Sequence, residues 1–303
     1  MKETRSFLMY LLLMIVLVSC NLPLGQLRQE QITTSSTPVK PTALPLILDM
    51  LKNAEYQAQN GMTLVNLVDG RYETGSGADY LSVSMLDQVA FGDLNSDGTL
   101  DAAIILAENY GGTGQYEYLV PVFNSDGHPS PSSGYFLGDR VVVKSIGITN
   151  SLINLDILVH APNDALCCPS QVMTQSFRFY WGPGLVQVHA TSGTSAGGLR
   201  KIVIESPTNN REVSNQVLIT GWVSISPFEN TLVVRIMDSN NIPAYQGPIQ
   251  VNSPGMGAPG TFDTMVDLSS SSINPGMIRI EIIDISMADG SILSMDSVDV
   301  ILK

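Results

Sequence analysis

The stretch Gln216-Val-Leu-Ile-Thr-Gly-Trp-Val223 decides the fold of the C-terminal third of the chain. Its β-branched and aromatic residues are typical of a strand. Because side chains of a strand alternate between two faces, Leu218, Thr220 and Trp222 share one face. We expect Trp222 to fill the core between two packed sheets from that face.

Six similar runs surround this strand, and turn residues separate them. The six are Lys201–Glu205, Thr231–Asp238, Ala244–Val251, Gly260–Val266, Met277–Ile283 and Ser294–Leu302. About seven short strands in roughly 100 residues are typical of an immunoglobulin-like β-sandwich, so we assign 201–303 to such a domain. The domain contains no cysteine, which excludes the disulfide-pinned antibody type.

Residues 45–190 form a first globular region in which strands also dominate. The spacing of Leu46, Leu48, Leu51, Ala54 and Ala58 predicts a short opening helix. The strand-like runs that follow are Met62–Val68, Ser82–Phe91, Ala102–Glu108, Tyr116–Phe123, Arg140–Ile148, Leu152–His160 and Val172–Tyr180. We expect an α+β domain built on an antiparallel sheet, so that the whole chain is mainly β.

Residues 1–19 have the pattern of an export signal. Lys2 and Arg5 precede the apolar run Phe7–Val18, which falls short of the roughly 20 residues of a membrane span. With Cys20 directly after this segment, it resembles a bacterial lipoprotein signal. The resemblance implies cleavage before Cys20, attachment of lipid to its sulfur, and a position on the extracytoplasmic face of the cell membrane. The alternative is an ordinary secretory signal followed by a chance cysteine.

Two stretches poor in apolar residues predict flexible connections. Residues 20–44 are rich in Gln, Ser, Thr and Pro, so we expect a tether after Cys20. Residues 191–200 are mostly small and predict a linker between the two domains. This linker contains Gly193-Thr-Ser-Ala-Gly197, which matches the G-x-S-x-G pattern of hydrolases. A strand-like run follows where that motif needs a helix, so we assign it no catalytic role.

The charge of the chain excludes one class of partner. Lys and Arg number 15 against 28 Asp and Glu, which gives a formal net charge of −13. A surface of this sign repels the phosphate backbone, so we exclude nucleic acid as a partner. The partners we expect are the membrane, through the lipidated N-terminus, and a protein or glycan of the cell envelope.

The sharpest local motif is Asp93-Leu-Asn-Ser-Asp-Gly-Thr-Leu-Asp101. Its oxygen-bearing side chains at alternate positions are Asp93, Asn95, Asp97, Thr99 and Asp101. With glycine at the sixth position, they match the first part of an EF-hand-type calcium loop, so we predict a structural calcium site. Ile104 stands where an EF-hand has its last glutamate, and strand-like runs replace the flanking helices. The alternative is a hairpin loop whose Asp and Asn side chains cap their own backbone.

Cys167 and Cys168 are adjacent and follow His160 and Asp164. In an exported protein three arrangements are open: a disulfide between the neighbours, two free thiols, or a bond to another chain. A zinc or copper site would need more ligands than His160 and Asp164 supply. Cys167 and Cys168 are therefore candidates for a disulfide.

Several stretches of the first domain resemble the LppP/LprE-type bacterial lipoproteins. They are Val89–Ile104, Gly111–Gly114, Phe136–Ser145 and Pro162–Pro169. The resemblance covers roughly residues 50–190 and implies an exported, surface-anchored domain. It implies no catalytic residues.

The second domain is similar to the immunoglobulin-like domain of bacterial spore-germination proteins. The matching stretches are Ile204–Pro207, Val217–Trp222, Phe228–Asp238, Gly260–Phe262 and Ile285–Ser291. This resemblance implies a module appended to cell-envelope proteins, with a role in adhesion or interaction and without a catalytic site.

We therefore expect a non-enzymatic, lipid-anchored cell-surface protein, and two alternatives place a site in residues 45–190. An envelope hydrolase would need two carboxylates, or Ser, His and Asp, to converge in a pocket. A glycan- or solute-binding lipoprotein would need a groove lined by the tyrosines of that region. They are Tyr72, Tyr80, Tyr110, Tyr116, Tyr118 and Tyr135.

Overall fold

The computed structural model describes residues 44–58, 63–269, 271 and 273–303. The predicted signal peptide, Cys20 and the tether up to residue 43 lie outside the described residues. Among the residues that are described, no helix is long and apolar enough to cross a membrane. We call residues 44–193 the N-terminal part and residues 199–303 the C-terminal part.

The N-terminal part begins with one short helix, α1 (Leu48–Lys52), which buries Leu51. The predicted helix is too long, because Ala58 lies in β1 (Glu55–Ala58), which pairs with β2 (Thr63–Asn66). Asn53 Nδ2 donates to the Asp49 carbonyl at 2.9 Å where the helix ends. After that point the apolar side chains alternate with a period of two, which favours a strand.

A six-stranded antiparallel sheet follows. Its strands are β3 (Arg71–Thr74), β4 (Leu81–Gly92), β5 (Asp101–Asn109), β6 (Tyr116–Ser125), β7 (His128–Pro131) and β8 (Tyr135–Asp139). They lie in the order β3-β4-β5-β6-β7, with β8 also beside β6. β5 lies between two cores: Ile104 and Leu106 pack into one with Leu51, while Ala103 and Ile105 pack into the other. This double burial explains why β5 is an almost continuous apolar run.

A second, larger sheet contains strands of both parts. From the N-terminal part come β9 (Val142–Thr149), β10 (Leu152–Val159), β11 (Gln171–Tyr180) and β12 (Gly184–Gly193). From the C-terminal part come β13 (Leu199–Arg200), β15 (Glu212–Val213), β17 (Thr231–Met237), β18 (Pro243–Gln250), β20 (Gly276–Ile285) and β21 (Ile292–Leu302). The order is β18-β17-β20-β21-β12-β11-β10-β9, with β13 beside β12 and β15 beside β21. β12 and β21 meet at Ala190 and Met295, so one sheet continues from one part into the other.

The C-terminal part is closed by a three-stranded sheet, ordered β14 (Ile202–Ser206), β16 (Gln216–Val223) and β19 (Gly260–Asp267). Its inner face packs on β17, β18, β20 and β21 around a core of residues 202–302. This arrangement of two antiparallel sheets confirms the mainly β fold and the immunoglobulin-like β-sandwich.

The prediction that Trp222 fills this core was wrong. The large side chains of β16 that are buried are Val217, Ile219 and Val223. On the other face, Leu218 is 50% exposed and Trp222 is half-exposed. Lys201 Nζ lies 5.7 Å from the centre of the Trp222 ring. Gly221, and not Trp222, is the residue at this level that faces the core. A Cβ atom there would lie 2.5 Å from Phe262 Cζ, so Phe262 of β19 fills the volume on the inner face.

Residues 191–200 differ from the flexible linker that their composition predicted. Thr191 and Ser192 continue β12 and are buried, and Thr191 Oγ1 lies 2.6 Å from Thr174 Oγ1 on β11. Thr194 then donates to the Gly198 carbonyl at 2.8 Å, and the chain returns as β13. Thr191 and Ser192 therefore pack between strands, whereas residues 195–197 lie exposed in the turn. All described residues belong to one compact unit.

Candidate functional site

The aspartate loop, residues 93–101, connects β4 to β5. The two carboxylate oxygens of Asp93 accept the N–H groups of Asp97 at 3.2 Å and Gly98 at 2.9 Å. Asn95 Oδ1 also accepts Asp97 N–H at 3.0 Å, and Asp97 Oδ1 accepts Thr99 N–H at 2.7 Å. Gly98 has φ +85°, a backbone conformation that favours glycine. The oxygens of Asp93, Asn95 and Asp97 are therefore gathered around the loop backbone.

Asp101 lies apart from that group, at the base of the loop. It is fully buried, and its oxygens accept Leu94 N–H and Asn124 N–H, each at 2.9 Å. Burial raises its pKa, although these two hydrogen bonds act in the opposite direction. Asp101 thus ties the loop to β6, so the predicted ligands divide between the loop and the interior.

This division limits what the loop can hold. Within the described ranges, no group of three or more His, Cys, Asp or Glu side chains is placed to hold a metal ion. Asp93 and Asp97, with the amide oxygen of Asn95, form a smaller set of hard oxygen donors, the kind that calcium prefers. Their hydrogen bonds to the backbone also match the capping alternative. Calcium binding stays a prediction.

The cysteine loop, residues 160–170, connects β10 to β11. Cys167 and Cys168 are joined by a disulfide, which is one of the three arrangements that the sequence leaves open. Both are exposed. Asp164 accepts the N–H groups of Ala161 and Ser170 at 2.7 Å and the Ser170 hydroxyl at 2.8 Å. These hydrogen bonds lower the pKa of Asp164 and tie the two ends of the loop together.

An aromatic strip lies on β6, on β8 and just after the end of β5, and we define it by Tyr110, Tyr116, Tyr118 and Phe136. Ring centres are 5.4 Å apart for Tyr110 and Tyr116, 6.3 Å for Tyr116 and Phe136, and 5.3 Å for Tyr118 and Phe136. Phe136 is 50% exposed and the tyrosines are half-buried. The Tyr110 hydroxyl donates to buried Glu108, and burial raises the pKa of Tyr110. The strip forms an aromatic surface with a polar partner beneath it.

Among the described residues, the other three tyrosines make no ring contact with the strip. Tyr135 faces the opposite side of its sheet, 4.8 Å from Phe177 between ring centres, within a core. Tyr72 packs against the core that contains Leu51. Tyr80 lies beside Gly111, whose Cβ position would be 3.3 Å from Tyr80 Cβ. Three of the six predicted tyrosines are therefore brought together.

Two buried glutamates flank the strip but cannot act as a pair. Glu108 is opposite Tyr116 and Ala107 is opposite Glu117, so Glu108 and Glu117 point to different faces of the sheet. Burial raises the pKa of Glu117 to about 7, although Gln115 Nε2 at 2.8 Å and Val141 N at 3.2 Å donate to its carboxylate. Glu108 and Glu117 do not supply the two converging carboxylates that a glycosidase needs.

An ion pair that was not predicted from the sequence joins the two parts at their junction, and a second pair lies close to it. Arg178 on β11 contacts Asp299 on β21 at 2.7 Å, and the Tyr180 hydroxyl donates to the same carboxylate at 2.9 Å. Within the C-terminal part, Arg200 on β13 contacts buried Asp284 on β20 at 3.1 Å. Acidic residues inside apolar strands were the available signal, because a buried carboxylate needs a partner.

A cleft of about 250 Å³, the junction cleft, is lined by Arg178 and Asp299. It also contains the residue types that the hydrolase alternative requires. Ser176, His189 and Asp296 all line it, and Ser176 is opposite His189 on the neighbouring strand. His189 Nδ1 is 3.5 Å from Asp296 Oδ1, but the Ser176 hydroxyl donates to Asn154 Oδ1 at 2.8 Å. This geometry does not activate Ser176 as a nucleophile.

The G-x-S-x-G match also lacks the arrangement of a hydrolase. Gly193 ends β12, and Thr194 and Gly198 close a turn that contains Ser195. β13 and β14 follow this turn. A nucleophile elbow places its serine between a strand and a helix, so Ser195 is not in that setting.

The C-terminal part is similar to a known protein family. Residues 201–291 match the family model Gmad2, described as the immunoglobulin-like domain of bacterial spore germination. The match spans β14 to β20 of the sandwich. No curated protein matches the sequence.

Proposed function

We propose that this chain is a non-enzymatic, lipid-anchored protein on the extracytoplasmic face of a bacterial cell membrane, where its β-rich body contacts another component of the envelope. The N-terminal signal pattern with Cys20 supports the anchor. The resemblance of residues 50–190 to LppP/LprE-type lipoproteins points to the same location.

The match of residues 201–291 to the immunoglobulin-like family carries the contact role. Strands β14, β16 and β19 pack on their partners around a core that is built only from the C-terminal part. A sandwich of this kind offers outer sheet faces and loops for contact with other molecules. Its outer face includes half-exposed Trp222 with exposed Leu218 and Met265, side chains suited to interaction.

A structural calcium ion at the aspartate loop is a separate part of the proposal. Asp93, Asn95 and Asp97 would hold it, and Asp101 would support the loop from below through Leu94 N–H. The ion would supply positive charge between side chains that repel one another. With only two carboxylates in the set we expect affinity in the range of extracellular modules, near 10⁻⁴ to 10⁻³ M.

The anchor is tested by labelling growing cells with radioactive palmitate and fractionating them. We expect the wild-type chain to take up label and to sediment with membranes, and the Cys20→Ser variant to do neither. A Cys167→Ser/Cys168→Ser variant is the matched control and should be labelled like the wild type. An unlabelled wild-type chain, or a Cys20→Ser variant that fractionates unchanged, would contradict the anchor.

The aromatic strip favours a second candidate, glycan binding. Rows of aromatic rings with hydrogen-bonding groups beside them suit the apolar faces and hydroxyls of sugars. The test is co-sedimentation of the protein with purified cell-wall glycan. Phe136→Ala should reduce binding about tenfold, the equivalent of 1.4 kcal/mol. Trp181→Ala is the control, because Trp181 is 73% exposed and stacks on Phe123 outside the strip. Equal binding by all three proteins would reject this candidate.

A further inference from the structure

We propose that the Cys167–Cys168 disulfide is a reversible redox site whose co-substrate is a dithiol. Nothing in the anchoring or contact role requires this chemistry. The proposal stands on the exposure of the pair, on its adjacency in the chain, and on a loop framework that does not depend on it.

The pair is open to attack from solvent. Cys167 and Cys168 are both exposed, and so are Ala165 and Leu166, the latter at 68%. The loop projects beyond the ends of β10 and β11, where Val159 and Gln171 form the last pair. A thiolate must reach a sulfur atom directly for exchange, so exposure of both residues meets the first requirement of the reaction.

As a cross-link, the disulfide should stabilise the fold very little. A disulfide stabilises a fold mainly by closing a loop in the unfolded chain, and the effect grows with the length of that loop. Cys167 and Cys168 are separated by one position in the sequence, so their bond closes the shortest loop the chain can make. It joins no two elements of the fold.

The loop is held by other contacts. Asp164 binds Ala161 and Ser170 across the loop, and Cys168 N–H donates to the Ala165 carbonyl at 2.9 Å. None of these hydrogen bonds uses a sulfur atom. Opening the disulfide should therefore leave the loop in place, so that the pair can be oxidised again.

The reaction is a two-electron exchange. A thiolate of the dithiol attacks one sulfur of the pair, and the bond between the two Sγ atoms breaks. The other cysteine leaves as a thiolate that takes up a proton. The second thiol of the donor, as thiolate, then attacks the mixed disulfide. It releases the first cysteine, which is also protonated. The pair is reduced to two thiols and the dithiol is oxidised to its disulfide, so atoms and electrons balance.

The experiment uses the full chain without denaturant, with dithiothreitol as the dithiol and glutathione as a monothiol at equal thiol concentration. Alkylation followed by mass spectrometry of the peptide that contains residues 167 and 168 counts their thiols separately from Cys20. We expect no thiols before treatment, two after dithiothreitol, and re-formation of the disulfide in air. Dithiothreitol should act at least about tenfold faster than glutathione, because its second thiol resolves the mixed disulfide at high effective concentration.

Thermal unfolding separates this site from a structural bond. The midpoint should be the same within error for the oxidised protein, the reduced protein and the Cys167→Ser/Cys168→Ser variant. Three results would overturn the proposal: alkylation of both cysteines before reduction, a disulfide that is reduced only in denaturant, or a lower unfolding midpoint after reduction. None of these results bears on the lipid anchor, which is tested at Cys20.

Discussion

The N-terminal and C-terminal parts are both antiparallel β structures, but their cores are completed in different ways. The core of the C-terminal sandwich consists only of residues from 202 to 302. In the N-terminal part, the core beneath the large sheet also takes in Ile283 and Met295 from the C-terminal part. The segment that matches a family model thus has a core of its own and also completes the core of its neighbour.

The difference is concentrated on β20. Ile278, Ile280 and Ile282 pack into the sandwich core, whereas Ile283 packs into the core of the N-terminal part. Both Ile282 and Ile283 are fully buried. Adjacent residues of one strand therefore serve different parts, because successive side chains point to opposite faces.

Alanine substitutions at these two residues should give the largest losses of stability and should distinguish the two cores. Ile283→Ala and Ile282→Ala should each cost about 2–5 kcal/mol, because each leaves a cavity in a packed core. Hydrogen exchange should locate the damage differently. Ile283→Ala should lower protection in β10 to β12, and Ile282→Ala in β16 and β19. The same pattern of lost protection in both variants would contradict separate cores.

The buried carboxyl group of Glu117, in the N-terminal part, should give the next largest change in the free energy of unfolding. Because burial raises the pKa of Glu117 from 4.5 to about 7, its favourable contribution is complete below pH 4.5 and is lost as pH rises through 7. Glu117→Gln should therefore be more stable than the wild type at pH 8, by about 2–3 kcal/mol, and equally stable near pH 4. Urea unfolding across this pH range measures both.

The matched control for Glu117 has the opposite sign. A hydrogen bond from Arg140 lowers the pKa of Asp139, so its contribution is present above its ordinary pKa and is lost as pH falls. Asp139→Asn should reduce stability at pH 8, where Glu117→Gln increases it. A stability of Glu117→Gln that is equal to the wild type at pH 8 would show that Glu117 is not penalised by burial.

The ion pair between Arg178 and Asp299 gives the next effect, at the boundary between the parts. Asp299→Ala leaves Arg178 and Tyr180 without their partner, and we expect a loss of about 1–2 kcal/mol, since Arg178 is partly exposed and solvent screens the pair. Glu212→Ala is the control, because Glu212 and Lys303 form a pair that is more than half exposed. It should change stability by less than about 0.5 kcal/mol. Equal losses in urea unfolding would contradict a contribution from the junction pair.

Calcium should give an effect of similar size to the ion pair, and only through the N-terminal part. At about 10 mM calcium and a dissociation constant near 1 mM, the free energy of unfolding should rise by about 1.4 kcal/mol. Differential scanning calorimetry detects this as a higher midpoint. Asp97→Asn should remove the increase and magnesium should not reproduce it. An unchanged midpoint at this calcium concentration would leave backbone capping as the role of the loop.

The strands of this protein could largely be predicted from sequence, since their apolar periodicity and turn residues are local signals. The prediction for Gln216–Val223 agrees with β16 at both ends. β12 was missed although residues 185–190 form an apolar, strand-like run. Only its end, Thr191 and Ser192, has the composition of a linker, and these two residues are buried by the packing of neighbouring strands.

The side-chain environments were harder to predict, because they depend on contacts between distant segments. Trp222 lies outside its core because the face of β16 that carries Val217 and Ile219 turns inward, and Phe262 fills the space over Gly221 on that face. The alternation of β16 does not say which face is covered. Asp101 fits a calcium motif by spacing, but Asn124, on another strand, draws its carboxylate inward. Within the described residues, local patterns thus located the loops, and tertiary contacts decided what their side chains do.

The central claim is that only the C-terminal part has a core that is complete without the other part. The most direct test is to produce residues 199–303 and residues 44–200 separately and to follow their unfolding by circular dichroism and calorimetry. We expect 199–303 to unfold cooperatively by itself, because its core is complete. We expect 44–200 to lose cooperative unfolding or to melt far below the full chain, because Ile283 and Met295 are missing from its core. A fragment 44–200 as stable as the full chain, or a fragment 199–303 that does not fold, would contradict the account.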